Sequence, residues 1–256
     1  MNTHPILLLI AMLLAGSFSY AQEEYTRPNL PAKWRLPSEQ PDHIVLNFSD
    51  DPATTQSVTW RTDTRTKEAF GEIAIATAAP RFWRNAKRVV GSTETMDASR
   101  VKSAESKANY HSVTFTGLTP DTLYAYRVGD GEHWSEWIQF RTASQEPEPF
   151  SFLYVGDAQN NVLDLWSRLI RESYRTAPDA RFIIHAGDLI NDAHSELEWH
   201  EWFTAGGWIH RTLPSLPLPG NHEYEGYTEL EEENDIEHLS VQWRPQFTLP
   251  ENGVLR

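Results

Sequence analysis

Two hydrophobic rhythms divide the chain. From His43 to Thr142 the apolar residues fall in short runs. HIVLNF at 43–48 is β-branched and aromatic. SVTWRT at 57–62 sets Val58 and Trp60 against Thr59 and Arg61, and GEIAIATA at 71–78 alternates at Ile73 and Ile75. YHSVTFTGL at 110–118 alternates at Val113 and Phe115, and TLYAYRVGDG at 122–131 at Tyr124, Tyr126 and Val128 before a glycine turn. EWIQFRT at 136–142 closes the series. Strict alternation marks strands with one buried face. Short strands separated by turn residues predict an all-β sandwich.

The rhythm changes after SQEPEPF at 144–150, a Pro/Glu hinge. FSFLYV at 150–155 and RFIIHA at 181–186 are continuous apolar runs, and LPSLPLP at 213–219 is a third extended segment. Between them, NVLDLWSRLIRESY at 161–174 puts Val162, Leu165, Trp166, Leu169 and Ile170 on one helical face. SELEWHEWFTAGGWIHR at 195–211 predicts a second helix, interrupted at Gly206-Gly207. Strand and helix in alternation predict a parallel α/β sheet. The acidic run 223–237 reads as a solvated loop.

Four regions follow. Residues 1–21 read as a cleavable signal: the apolar run from Pro5 to Gly16 is too short for a bilayer, and Ser19-Tyr20-Ala21 precedes a mature start at Gln22. Residues 22–40 read as a linker, 41–143 as the sandwich, and 149–256 as the α/β part. The expected destination is the periplasm or the exterior, with no transmembrane anchor.

Charge and composition narrow the chemistry. The 256 residues include no cysteine, which excludes disulfides, thiolate metal sites, cysteine nucleophiles and a lipoprotein anchor. The net charge of −14 opposes nucleic acid, anionic lipid and phosphate esters alike. A phosphate site here must therefore carry local positive charge, which metal cations supply.

Each apolar run of the α/β part ends in polar residues: Gly156-Asp157-Ala158-Gln159, then Gly187-Asp188-Leu189-Ile190-Asn191-Asp192, then Gly220-Asn221-His222-Glu223. In an open parallel sheet, ligands bind beyond the carboxyl ends of the strands. Asp157, Asp188, Asn221 and His222 are oxygen and imidazole groups of the kind first-row metals take. Taken singly, such an Asp is an ordinary helix cap and such a GD or GN an ordinary turn. Three in order, each about one βα unit from the next, point to a shared crevice.

The trio GDAQ, GDLIND and GNHE resembles the calcineurin-like metallophosphoesterase family. SVTWRTD, HSVTFTGLTPDTLYAYRVGDG and WSEWIQFRT are similar to the fibronectin type III-like N-terminal domain of purple acid phosphatases. The implied fold is multidomain, β plus α/β: a fibronectin type III-like sandwich followed by the first half of a metallophosphoesterase α/β sandwich. The resemblance spans roughly residues 40 to 225. It implies a secreted, acid-phosphatase-like phosphoester hydrolase with two metal ions, drawn from Fe, Zn or Mn. Asp157 would ligate one ion, Asp188 bridge both, and Asn221 ligate the second. His222 would face a phosphate monoester or diester as the catalytic residue, with a metal-bound hydroxide as nucleophile.

Three departures accompany the likeness. Gln159 stands where many members have a histidine, leaving it a possible metal or substrate contact. Asn191 stands where purple acid phosphatases have a tyrosine ligand, so no charge-transfer colour is expected, and it too is a possible contact. The V-x-x-H and G-H-x-H turns that supply further histidines do not occur, so the site is expected to be partial and this chain inactive, either as a piece of a longer protein or as a diverged homologue. The rival from another class is a surface- or glycan-binding sandwich with a vestigial phosphoesterase part. His185 reads as a core residue or one lying behind the site, and His194, His200 and His210 read as surface or packing residues. Trp199, Trp202 and Trp208 read as core or interface. Asn47-Phe48-Ser49 is a glycosylation sequon.

Overall fold

In this computed structural model, residues 31–99, 101–102 and 107–250 are described. The signal at 1–21, the first part of the linker and the last six residues lie outside them.

The β-rich part contains β1 (Asp42–Asn47), β2 (Gln56–Thr62), β3 (Phe70–Ile75), β4 (Lys87–Val90), β5 (Ser92–Asp97), β6 (Lys107–Phe115), β7 (Leu123–Gly129) and β8 (Ile138–Arg141). After the Pro/Glu segment come β9 (Leu153–Val155), a π-turn at Val162–Trp166 leading into α1 (Ser167–Thr176), β10 (Ile183–Ala186), α2 (Glu196–Gly206), α3 (Trp208–Thr212) and β11 (Ser215–Leu218). Short elements complete the order: β12 (Tyr224–Glu225), α4 (Glu229–Glu233), β13 (His238–Leu239) and α5 (Trp243–Gln246). The architecture is β followed by α/β, as the two rhythms predict.

One sheet crosses from the first part to the second. Its order is β5-β6-β2-β1-β11-β10-β9, and a four-stranded sheet β4-β3-β7-β8 faces its β-rich end. The join is a parallel pairing of β1 with β11 at Asn47 and Ser215. Asn47 is buried, donates its amide to the Ser215 carbonyl at 2.8 Å, and accepts from the Thr248 N–H at 3.3 Å. Its amide is thus committed to the sheet, and the glycosylation sequon has no free acceptor. Among the described residues, β1 covers the β11 edge of the three parallel strands and β9 is left as the free edge.

The join explains a departure in β2. Its alternation predicts one solvated face, yet all seven residues are buried. The polar face meets the second part: Thr59 Oγ lies 3.0 Å from Thr248 Oγ, and Arg61 pairs with Glu196 at the start of α2. Polar residues on a strand can face a polar interface as well as water. The tail of the linker is likewise held against the body. Trp34 meets the His200 ring edge-on at 4.2 Å, and the Arg35 carbonyl accepts from Arg61 at 3.1 Å.

The second core gathers Val162, Trp166, Ile170, Ile183, Trp199 and Trp202. Val162, Trp166 and Ile170 recur at i, i+4, i+8 and are buried, but Leu165 and Leu169 are 52% and 51% exposed. The buried stripe is therefore narrower than the predicted face. Trp208 is 51% exposed and packs edge-on against Tyr174, whereas Trp199 and Trp202 are fully buried. Gly207, at φ +49°, breaks α2 from α3 as the glycine pair predicts.

Candidate functional site

Parallel pairing fixes where the three turns fall. Ile183 is in register with both Leu153 and Ser215, so β9, β10 and β11 end at one edge of the sheet. The Asp157 N–H donates to the Gly187 carbonyl at 3.1 Å, and the Gln159 N–H to the Asp188 carbonyl at 3.0 Å. The first two turns are thus laced together by main chain.

The second and third turns meet at glycines. A Cβ on Gly187 would lie 2.8 Å from Gly220 Cα, and one on Gly220 would lie 2.1 Å from Asp188 Oδ1. No side chain fits at either contact. Asp157 and Asp188 adopt left-handed backbone at φ 53° and 54°. This conformation costs roughly 1–2 kcal/mol for a residue with a Cβ, and such strain gathers at functional sites.

The side chains then interlock. Asp188 Oδ1 accepts from the His222 N–H at 3.1 Å, and Asp188 Oδ2 accepts from Gln159 Nε2 at 3.3 Å. His222 Nδ1 donates to the Asn191 carbonyl at 2.9 Å, which assigns the proton on that nitrogen. The Asn191 side chain turns to Asp192, with Nδ2 at 3.1 Å from Oδ1. Asp157 and Asn221 are exposed at the mouth, while Asp188, Gln159, Asn191 and His222 are half-buried. Gln159 Oε1 is a buried acceptor with no hydrogen-bond partner.

Beneath the turns lie two buried carboxylates that patterning did not single out. Glu223 belongs to the stretch predicted as a solvated loop, yet it is fully buried. Its carboxylate accepts from the N–H groups of Asp188, Leu189, Ile190 and Gly220. Burial pushes the Glu223 carboxyl above its usual range, and those N–H donors oppose the rise. Glu198 accepts from the Asn191 and Asp192 N–H groups at 2.7 and 2.9 Å. The sequence signal for Glu198 is the cap pattern Ser195-x-x-Glu198, in which Ser195 Oγ accepts the Glu198 N–H.

A cluster of possible metal ligands also lies elsewhere. Among the described residues, Asp42, His43 and His200 bring ligand atoms within 4.8 Å of one another. Arg61 already fills this cluster, with Nη2 at 2.6 Å from Asp42 Oδ2 and 3.3 Å from His200 Nδ1. Burial opposes the charge of Arg61, but Asp42 and Glu196 hold it firmly protonated. A further cation would be repelled there. The group is an ion-pair network joining β1, β2 and α2. Burial and the adjacent Arg61 push His200 down to about 4 and hold His43 well below its usual value, so both rings are neutral.

Two family models match the chain. Residues 41–142 match the purple acid phosphatase N-terminal domain, and residues 150–254 match the calcineurin-like phosphoesterases. A search of curated proteins found no match. Among solved structures, purple acid phosphatase PPD1 from yellow lupin (Lupinus luteus) seeds is similar with a TM-score of 0.63 and 19% identity, over 84% of this chain and 42% of its own. A structure of PhoD is similar with a TM-score of 0.52 and 13% identity, over 90% of this chain and 49% of its own. The chain spans less than half the length of either. At these identities the likeness is one of fold. The chain is thus similar, in order, to a purple acid phosphatase N-terminal domain and to a calcineurin-like phosphoesterase.

Proposed function

We propose that the three turns form the metal-binding part of a phosphoester-hydrolase site. The observation that carries this reading is the interlocking, at one sheet edge, of the turns that hold Asp157, Asp188 and Asn221-His222. Asp157 and Asp188 would hold cations through carboxylates and Asn221 through its amide oxygen. The fit rests on this oxygen-rich donor set, which suits hard or borderline divalent ions. It rests also on Gln159 Oε1, a buried acceptor lacking a protein partner. Asp188 keeps lone pairs beyond the two bonds it accepts, which suits a bridging role.

Cations bound there supply Lewis acidity to a phosphoryl group and offset the charge of −14 that otherwise repels it. The protein's own share is positioning and proton placement. His222 is anchored through Nδ1–H to the Asn191 carbonyl. Its Nε2 is left to accept, or when the ring is protonated to donate, a hydrogen bond to a phosphoryl or leaving-group oxygen. The substrate class is a phosphate monoester or diester.

Among the described residues these turns carry four carboxylates and three carboxamides; Glu223 is taken up by main-chain N–H groups and Asn191 and Asp192 bond each other, which leaves Asp157, Asp188, Gln159 and Asn221, with His222 the one imidazole. On that donor count the dinuclear centre is partial and this chain alone turns phosphate esters over negligibly. Metal analysis and p-nitrophenyl phosphate assays on chain loaded with Zn, Mn or Fe test both statements. The expected result is bound metal, lost in Asp188→Asn, with turnover at background. Robust turnover would contradict the partial centre, and a metal-free wild type would contradict the site itself. Export through residues 1–21 belongs to the same proposal; an exported product beginning at Gln22 checks it.

A further inference from the structure

Glu223 is tied to the candidate site more closely than its place in an acidic run suggests. Its two oxygens divide four main-chain donors. Oε1 accepts from Leu189 and Ile190 at 2.6 and 3.3 Å, and Oε2 accepts from Asp188 and Gly220 at 2.9 and 2.6 Å. Three donors belong to the turn after β10 and one to the turn after β11. One carboxylate therefore staples together the two turns that carry Asp188 and Asn221. The staple holds Asp188 by its own N–H, at a backbone angle (φ 54°) that the residue would not choose alone.

We propose that Glu223 is the positioning residue of the metal site: it sets the backbone of Asp188 against Gly220 so that the Asp188 and Asn221 side chains face a common cation. This rests on the reading of those turns as a metal site. Glu223 touches neither substrate nor cation in this account and acts through Asp188.

The chemistry requires a carboxylate. Four N–H donors need acceptors, and both oxygens of an ionised carboxylate accept. A carboxamide presents one oxygen and one NH2 group, which would point its own donors at two N–H groups. Loss of an outer partner behind a metal ligand weakens metal affinity on the order of 10- to 100-fold.

The test is Mn2+ titration by calorimetry on the full chain, comparing wild type, Glu223→Gln, Glu223→Asp and Glu198→Gln. Glu198→Gln neutralises a second buried carboxylate beside the same turn, one whose single oxygen Oε2 accepts from both Asn191 and Asp192 N–H groups, without touching the staple. The expected result is wild-type binding, loss of at least about tenfold in Glu223→Gln, partial recovery in Glu223→Asp, and a smaller loss in Glu198→Gln. Equal losses in the two Gln variants would show a general loosening and overturn the proposal, as would unchanged Mn2+ affinity in Glu223→Gln. Absence of Mn2+ binding in wild type would instead sink the metal-site reading. Should Glu223→Gln fail to fold, amide exchange in the wild type decides: protected Asp188, Leu189 and Gly220 amides support the staple, and exchange as fast as in an exposed turn refutes it.

Discussion

At Gly220 the site leaves no space for a single methyl group. Its backbone angle, φ −95°, is open to any residue, so the constraint is steric alone. An added Cβ would stand 2.1 Å from Asp188 Oδ1 and 2.6 Å from Asp188 N, both belonging to the residue proposed to bridge the metals. Overpacking of this kind costs about 1–3 kcal/mol. Gly220→Ala is expected to lower stability by that amount in urea unfolding and to weaken Mn2+ binding as well. A variant with wild-type stability and affinity would show the turns to be looser than described. The glycine before Asn221 was legible in the sequence as punctuation after an apolar run. Glu223 was not, because nothing local marks it as buried. Three of its four partners are the N–H groups of residues 188–190, brought near only when β10 and β11 pair.

Among the elements, α1 gives the sharpest contrast between pattern and packing. Leu169 and Ile170 are neighbours of nearly the same volume, and the helical period placed both on the apolar face. The structure buries Ile170 completely and leaves Leu169 half exposed. Ile170→Ala is expected to cost about 2–5 kcal/mol, and Leu169→Ala within about 0.5 kcal/mol of nothing, by urea unfolding. Equal costs would mean that α1 packs on a broader face. The reason for the narrow stripe lies upstream. The helix enters through a π-turn at Val162–Trp166, which shifts the register of the first turn relative to a regular α-helix. No residue pattern announced that turn. The strands were more legible where they alternate: β2, β3, β6, β7 and β8 all stand where the period of two placed them. β4 and β5 were missed because their residues, KRVV and STETMD, are largely exposed and carry no apolar alternation. The reading of β2 as half-solvated failed for the opposite reason. Its polar face is covered by groups from Glu196 and Thr248, which no local window contains.

Over the whole molecule, burial of histidine couples stability to pH. Burial pushes His185 down to about 3, and burial with neighbouring His185 and Arg211 pushes His210 well down. Burial alone is the main cause that brings His111 to about 4, and His43 and His200 are likewise lowered beside Arg61. These rings are neutral in the fold and titrate near 6.5 when unfolded. Their contribution is complete above pH 6.5 and is lost as pH falls from there, down to about 3 for His185 and about 4 for His111 and His200. Each loses about 1.4 kcal/mol per pH unit across that window. His133, held up by half-buried Asp130, runs the other way but lies at the surface. The melting temperature is therefore expected to drop steeply between pH 7 and pH 5 in calorimetry, and a flat profile would contradict the neutral buried rings. These histidines sit in both the β-rich and the α/β parts, so the loss should appear as one transition of a body whose central sheet is shared.

The turns of Asp157, Asp188 and Asn221 are proposed to gather metal at one sheet edge. Anomalous diffraction from crystals grown with Mn2+ tests it most directly. The expected result is a peak flanked by Asp157, Asp188 and Asn221, above the Glu223 staple and absent in Asp188→Asn. A peak at Asp42, His43 and His200 instead, or none at the turns, would contradict it.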